Sequence, residues 1–127
     1  MTWYGMLAVG AGAAGGAWLR WWLGILFNPL FPTLPLGTVA ANLTGGYLMG
    51  MAMAIFAEHP GLPPEVRLLL ATGFLGGLTT FSTFSAETVT LFLRAQYGWG
   101  TVIIALHVAG SLAMTLLGIW TVRFLKG

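Results

Sequence analysis

Apolar residues run through the chain in four long stretches, separated by short clusters of proline, glycine and polar residues. Charged side chains are absent before Arg20, between Arg20 and Glu58, between Arg67 and Glu87, and between Arg94 and Arg123. Each interval approaches or exceeds the roughly 20 apolar residues that a helix needs to cross a bilayer. The pattern predicts an all-α membrane protein with four transmembrane helices, forming a single domain over residues 1–127.

The first helix is predicted over about 3–27, ending where Pro29, Pro32 and Pro35 deny the backbone its helical ladder. The second covers about 36–57 and stops at the polar turn Glu58-His59-Pro60-Gly61. A third runs over about 65–94; Pro64 has no N–H to waste in a first turn, and the Glu65 carboxylate suits the positive end of the helix dipole. After Ala95-Gln96-Tyr97-Gly98-Trp99-Gly100, a fourth is predicted over about 101–125. Trp3, Tyr4, Trp21, Trp22, Tyr97, Trp99 and Trp120 fall near the predicted ends, where an interfacial aromatic belt belongs.

Composition sharpens this picture. The chain is 57% hydrophobic and 6% charged, against roughly a quarter charged in soluble domains. No cationic segment precedes the first apolar run, so that run is expected to be a retained span and not a cleaved leader. Cysteine is absent, which excludes disulfides and thiolate metal sites. The five cations are scattered, leaving no footprint for nucleic acid and no polybasic lipid patch. No motif sets a nucleophile, a base and an orienting carboxylate at a recognised spacing, so the chain does not read as an enzyme.

Four spans would put Arg67, Arg123 and Lys126 on one side of the membrane and Arg20 and Arg94 on the other. Orientation normally follows a clear Lys/Arg excess. A difference of one cation fits insertion in both orientations, with an antiparallel pair as the working unit, and equally fits one orientation fixed by that cation or by the insertion machinery. Four close-packed helices enclose side chains and not a lumen, so an ion path would form between subunits. The GxxxG pairs Gly12/Gly16, Gly46/Gly50 and Gly73/Gly77 permit close helix contacts, either between subunits or inside one.

The third predicted helix carries the least lipid-like stretch: Gly73, Gly76 and Gly77, followed by Thr79, Thr80, Ser82, Thr83 and Ser85. Two readings are open. The helix is interrupted around residues 76 to 80 and frees carbonyls that can bind a cation, or it is continuous and its hydroxyls bond back to their own turns. Phe81 and Phe84 share a face, as packing or as two rings that offer positive edges to a small anion. His107, Ser111 and Thr115 form a polar stripe at four-residue spacing, and Thr38 with Asn42 forms another; each stripe serves interhelical bonding or lines a path. Arg20 snorkels to the interface or sits in a vestibule. Glu87 is placed to carry a proton, to pair with Arg94 or to border a permeation route.

The run G-F-x-G-G-x-T-T-F-S-T-F-S at 73–85 resembles the Fluc-type fluoride channels, the CrcB family. So do Ala41-Asn42-Leu43-x-Gly45-Gly46, Gly16-Ala17-x-Leu19-Arg20 and Ala109-Gly110-Ser111-Leu112-Ala113, which extend the match over essentially the whole chain. The resemblance implies a passive exporter of cytoplasmic fluoride in the inner membrane, built as an antiparallel dual-topology homodimer with two pores. It implies a phenylalanine box of Phe81 and Phe84 with Asn42 beside the path, and a polar track of Ser82, Thr83, Ser111 and Thr115 neighboured by Glu87. Arg20 would be a vestibule cation, and the carbonyls of Gly76 and Thr79 from both subunits would hold a structural sodium ion. The resemblance gives no role to Thr80 or His107. Two competing classes are a small proton-coupled exporter with Glu87 as proton carrier, and a non-transporting assembly subunit.

Overall fold

The computed structural model describes residues 1–127 and is helical almost throughout. Helix α1 (Trp3–Phe27) begins at Thr2, whose hydroxyl accepts the Gly5 N–H at 2.9 Å. It ends in a 3-10 turn at Asn28–Leu30 containing Pro29. Asn28 Oδ1 then accepts the Gly37 N–H at 2.7 Å, which ties the end of α1 to the start of α2 (Leu36–Glu58).

The third long element changes its winding twice. It opens as α3 (Pro64–Arg67), widens into a π-helical stretch over Leu68–Leu75, and returns to α4 (Gly76–Leu78). Thr79 and Thr80 are extended, with φ/ψ of −86/153 and −146/118. Helical winding resumes as α5 (Phe81–Leu93), capped by Thr80 Oγ1, which accepts the Thr83 N–H at 3.1 Å. The local chemistry accounts for the extended step: glycines lower the helical preference ahead of it, and a threonine hydroxyl satisfies one of the orphan donors behind it.

Ala95, at φ 59, turns the chain into α6 (Tyr97–Lys126). This helix begins four residues before the expected Thr101. Gly98 and Gly100 look like loop residues in the sequence, but the Gly100 N–H bonds Gln96 O at 2.9 Å and opens the helix. A Cβ on Gly100 would stand 2.9 Å from the Phe92 ring, so this glycine serves close packing.

Three helical segments are long and apolar enough to cross a membrane: Leu36–Glu58, Pro64–Leu93 and Tyr97–Lys126. Helix α1 is of comparable length at 25 residues but falls outside that group. Its glycines, indoles and Arg20 dilute the aliphatic content on which the sequence reading of a fourth span rests.

Helix α1 packs against the π-helical stretch and α4, while α2 packs against α6. At Gly16 the approach is backbone to backbone, against Phe74 and Leu78, so no side chain fits there. All three GxxxG pairs lie at such contacts inside the chain, Gly46 and Gly50 facing α6 and Gly73 and Gly77 facing α1. Two small apolar clusters form the interior: Leu34, Phe84, Leu91 and Ile103 in one, and Ala41, Leu75 and Leu78 in the other. Only 22 of 127 residues are buried, which leaves most of the apolar surface facing outward, as suits a chain that does not end at a water boundary.

Candidate ion pathway

The extended step at Thr79 and Thr80 leaves backbone groups without helical partners, and side chains from two neighbouring helices take them up. Asn42 on α2 accepts the Thr80 N–H through Oδ1 at 2.7 Å and donates from Nδ2 to Thr80 O at 3.0 Å. Arg20 on α1 donates its Nε–H to Gly77 O at 3.0 Å. Leu75 O accepts both the Thr79 N–H at 3.0 Å and the Thr79 hydroxyl at 2.8 Å. Thr79 O takes no hydrogen bond, and Gly76 O takes none from a side chain or from the extended residues.

The Asn42 amide also lies 2.9 Å from His107 Nδ1. Because Oδ1 is committed to the Thr80 N–H, it is Nδ2 that faces the ring, and an amide nitrogen only donates. His107 Nδ1 is therefore the acceptor, and the neutral ring carries its proton on Nε2. His107 is 4% exposed, and its Nε2 is buried without a partner.

These groups open onto a groove of about 480 Å³ between α2, the third element and α6. Asn42, Gly76, Thr79, Thr80, Phe81, Phe84, His107, Ser111 and Thr115 all line it. The Phe81 and Phe84 rings meet edge to face, 5.5 Å apart at 70°. Phe84 is 8% exposed, with its other side 4.8 Å from the His107 ring, whereas Phe81 is 78% exposed and projects outward. Thr115 Oγ1 donates to Gly46 O and Ser111 O, both at 3.0 Å, and Ser111 Oγ donates to Val108 O at 3.2 Å. Each hydroxyl can redirect its proton toward a passing anion by rotation about one bond.

A second groove, of about 320 Å³, lies between the α1–α2 connection and α5. Thr33, Thr83, Glu87, Thr90, Arg94 and Gln96 contribute its polar lining. Glu87 Oε2 accepts the Thr38 hydroxyl at 2.7 Å, and its Oε1 is buried without a partner. Glu87 does not pair with Arg94; the one salt bridge in the chain joins Lys126 to Glu58.

The sequence-derived residues therefore divide. Asn42, Phe81, Phe84, Ser111 and Thr115 share the first groove with Gly76 and Thr79, and Thr83 and Glu87 belong to the second. Ser82, with its hydroxyl 3.3 Å from that of Thr80, lines neither groove, and Arg20 lines neither. Thr80 and His107, to which the family resemblance gave no role, stand at the centre of the first groove's hydrogen bonds. For Thr80 the signal is a threonine directly before a helix start, legible only once a helix restart at Phe81 is known.

A model of the family described as CrcB-like protein, Camphor Resistance (CrcB), matches residues 7–119. The chain belongs to the CrcB family. Among its CrcB relatives, one from Nitrosospira multiformis is 69% identical over 122 residues, covering 96% of this chain and 95% of the relative. Another, from Ralstonia pickettii, is 60% identical over 123 residues, covering 97% and 98%. A third, from Thiobacillus denitrificans, is 59% identical over 120 residues, covering 94% and 97%. Each of these is named a fluoride-specific ion channel FluC. In this CrcB chain the two grooves are lined by hydroxyls, amides and aromatic rings, no Lys or Arg lines the first, and the Thr79 carbonyl at the extended step is left without a hydrogen bond.

Proposed function

We propose that this chain is a subunit of a fluoride-selective channel that passively exports cytoplasmic fluoride across the inner membrane. The observation that carries the reading is the edge-to-face pair of Phe81 and Phe84 on the same groove as Asn42, Ser111 and Thr115. Fluoride is small and strongly hydrated, so a path must replace its water with closely spaced donors and positive ring edges. A lysine in that position would bind the ion too tightly to release it. The names of the relatives, at identities of 59% to 69% over nearly full length, support the same substrate.

In this reading α1 is a fourth span, the interrupted third span lies at the centre of an antiparallel homodimer, and each copy contributes to two pores. The free Thr79 carbonyl and the nearby Gly76 carbonyl fit a hard monovalent cation such as sodium. One chain supplies two such oxygens, and an antiparallel partner would supply the matching pair. When bound, sodium would supply fixed positive charge beside the anion path. Asn42 holds the extended step in place, Phe81 and Phe84 exclude water and offer ring edges, and Ser111 and Thr115 hand the ion along α6.

The test is fluoride efflux from proteoliposomes with and without a proton gradient, in the wild type and in Glu87→Gln. A channel passes fluoride without the gradient, and the Glu87→Gln variant retains passive flux. Flux that requires the gradient and disappears in Glu87→Gln would favour a proton-coupled exporter.

A further inference from the structure

Three of the chain's five cationic side chains are committed elsewhere. Arg20 donates to Gly77 O, Arg67 donates to His59 O and lies over the Phe56 ring, and Lys126 pairs with Glu58. Arg123 lines neither groove, whereas Arg94 lines the second, is exposed and forms no salt bridge. The backbone around it is fixed. Ala95, at φ 59, reverses the chain directly after Arg94, and the N–H groups of Arg94, Ala95 and Gln96 bond back to Thr90 O, Phe92 O and Leu91 O at 3.1, 3.0 and 2.9 Å.

The facing wall is equally well held. Leu34 is buried with Phe84, Leu91 and Ile103, and the Phe31 ring stands 5.3 Å from Trp99, so the α1–α2 connection is pinned to α5 and α6 on both sides of Thr33. Glu87 is the one carboxylate in the groove's lining. It lies seven residues before Arg94, about 10 Å back along the helix. Its Oε2 accepts the Thr38 hydroxyl and its Oε1 is buried, so the negative charge is turned into the protein while the positive charge stands at the open end.

We propose that Arg94, with Thr33 and Gln96, forms an entry site for hydrated monovalent anions at the mouth of the second groove. The inference rests on the reading of this chain as a fluoride channel. An exposed guanidinium raises the local concentration of anions without stripping their water, so it speeds entry and does not trap the ion. The Thr33 hydroxyl and the Gln96 amide are neutral donors that can exchange with the hydration shell. Such a mouth attracts chloride as well as fluoride, and selection is left to the groups deeper in the path.

The test is initial fluoride efflux from proteoliposomes of the full chain at low fluoride, at ionic strengths of about 20 and about 300 mM, between which the Debye length falls from about 20 to about 6 Å. Arg94→Gln is expected to lower efflux about threefold to fivefold at the lower ionic strength and to match the wild type at the higher, the scale of one unit charge a few ångströms from an ion in water. Arg94→Lys and Arg123→Gln are expected to behave as the wild type at both, and chloride should be retained in every variant. Because the chain has no cysteine, Arg94→Cys lets the charge be changed after folding. A thiol reagent that adds an ammonium should raise the efflux of that variant at the lower ionic strength, and one that adds a sulfonate should lower it.

Equal efflux from the wild type and Arg94→Gln at both ionic strengths would overturn the entry site and leave the channel reading in place. A loss of the same size at both, unmoved by either thiol reagent, would assign Arg94 to the structure of the α5 end and overturn it as well. A wild type that passes no fluoride would overturn the channel reading, and this inference with it.

Discussion

Asn42 holds Thr80 at both backbone groups, accepting its N–H at 2.7 Å and donating to its C=O at 3.0 Å. One carboxamide thus does for an extended residue what a helical turn or a neighbouring strand would otherwise do. In a lipid environment, where no water can replace a lost partner, such a pair decides whether non-helical backbone can exist at all.

Removing that carboxamide should be costly. Asn42→Ala leaves the N–H and C=O of Thr80 unsatisfied, at about 1–3 kcal/mol for each buried group. The expected result is a lower melting temperature of the purified protein together with loss of fluoride flux. A variant as stable as the wild type would mean that the extended step does not depend on Asn42.

The two phenylalanines should separate packing from conduction. Phe81 is 78% exposed in the single chain and Phe84 is 8% exposed. Phe81→Ile should leave the stability of the single chain within about 0.5 kcal/mol, as for surface substitutions. Phe84→Ile changes core shape and should cost on the order of 1–3 kcal/mol. Both are expected to reduce fluoride flux by at least about tenfold, which is only about 1.4 kcal/mol at the barrier. Unchanged flux in both variants would remove the ring edges from the path.

Dual topology is checked by labelling a single cysteine at Lys126 in intact and permeabilised cells. An antiparallel dimer predicts that part of the population labels from outside and the rest only after permeabilisation. Labelling from one side alone would contradict insertion in both orientations.

Much of the architecture was legible in the intervals between charges. The apolar stretches led to helix boundaries within about one residue for α1 and α2, because proline clusters mark their ends unambiguously. The start of α6 was missed, since Gly98 and Gly100 carry the signature of a loop and only the Phe92 ring explains a glycine inside a helix. The hydroxyl and glycine pattern pointed to residues 76 to 80, whereas α4 runs through Leu78 and the extended backbone is confined to Thr79 and Thr80. Nothing in the sequence marked the π-helical winding at Leu68–Leu75, a stretch that packs against α1.

The candidate site was legible by residue type more than by partner. Asn42 was read as a buried amide needing partners, but a periodicity cannot say that those partners are Thr80 and His107, one of them 65 residues away. Arg20 was read as a vestibule or snorkelling cation, and its bond to Gly77 O joins residues 57 apart. Such long-range pairings follow from which helices lie side by side, and the apolar pattern alone does not order four helices in space.

The central claim is selective passive fluoride conduction, and it is tested most directly by parallel fluoride and chloride efflux from liposomes holding the purified wild-type protein, with no proton gradient imposed. The account predicts rapid loss of fluoride with chloride retained. Retention of fluoride by verified, folded protein, or equal loss of both halides, would contradict it.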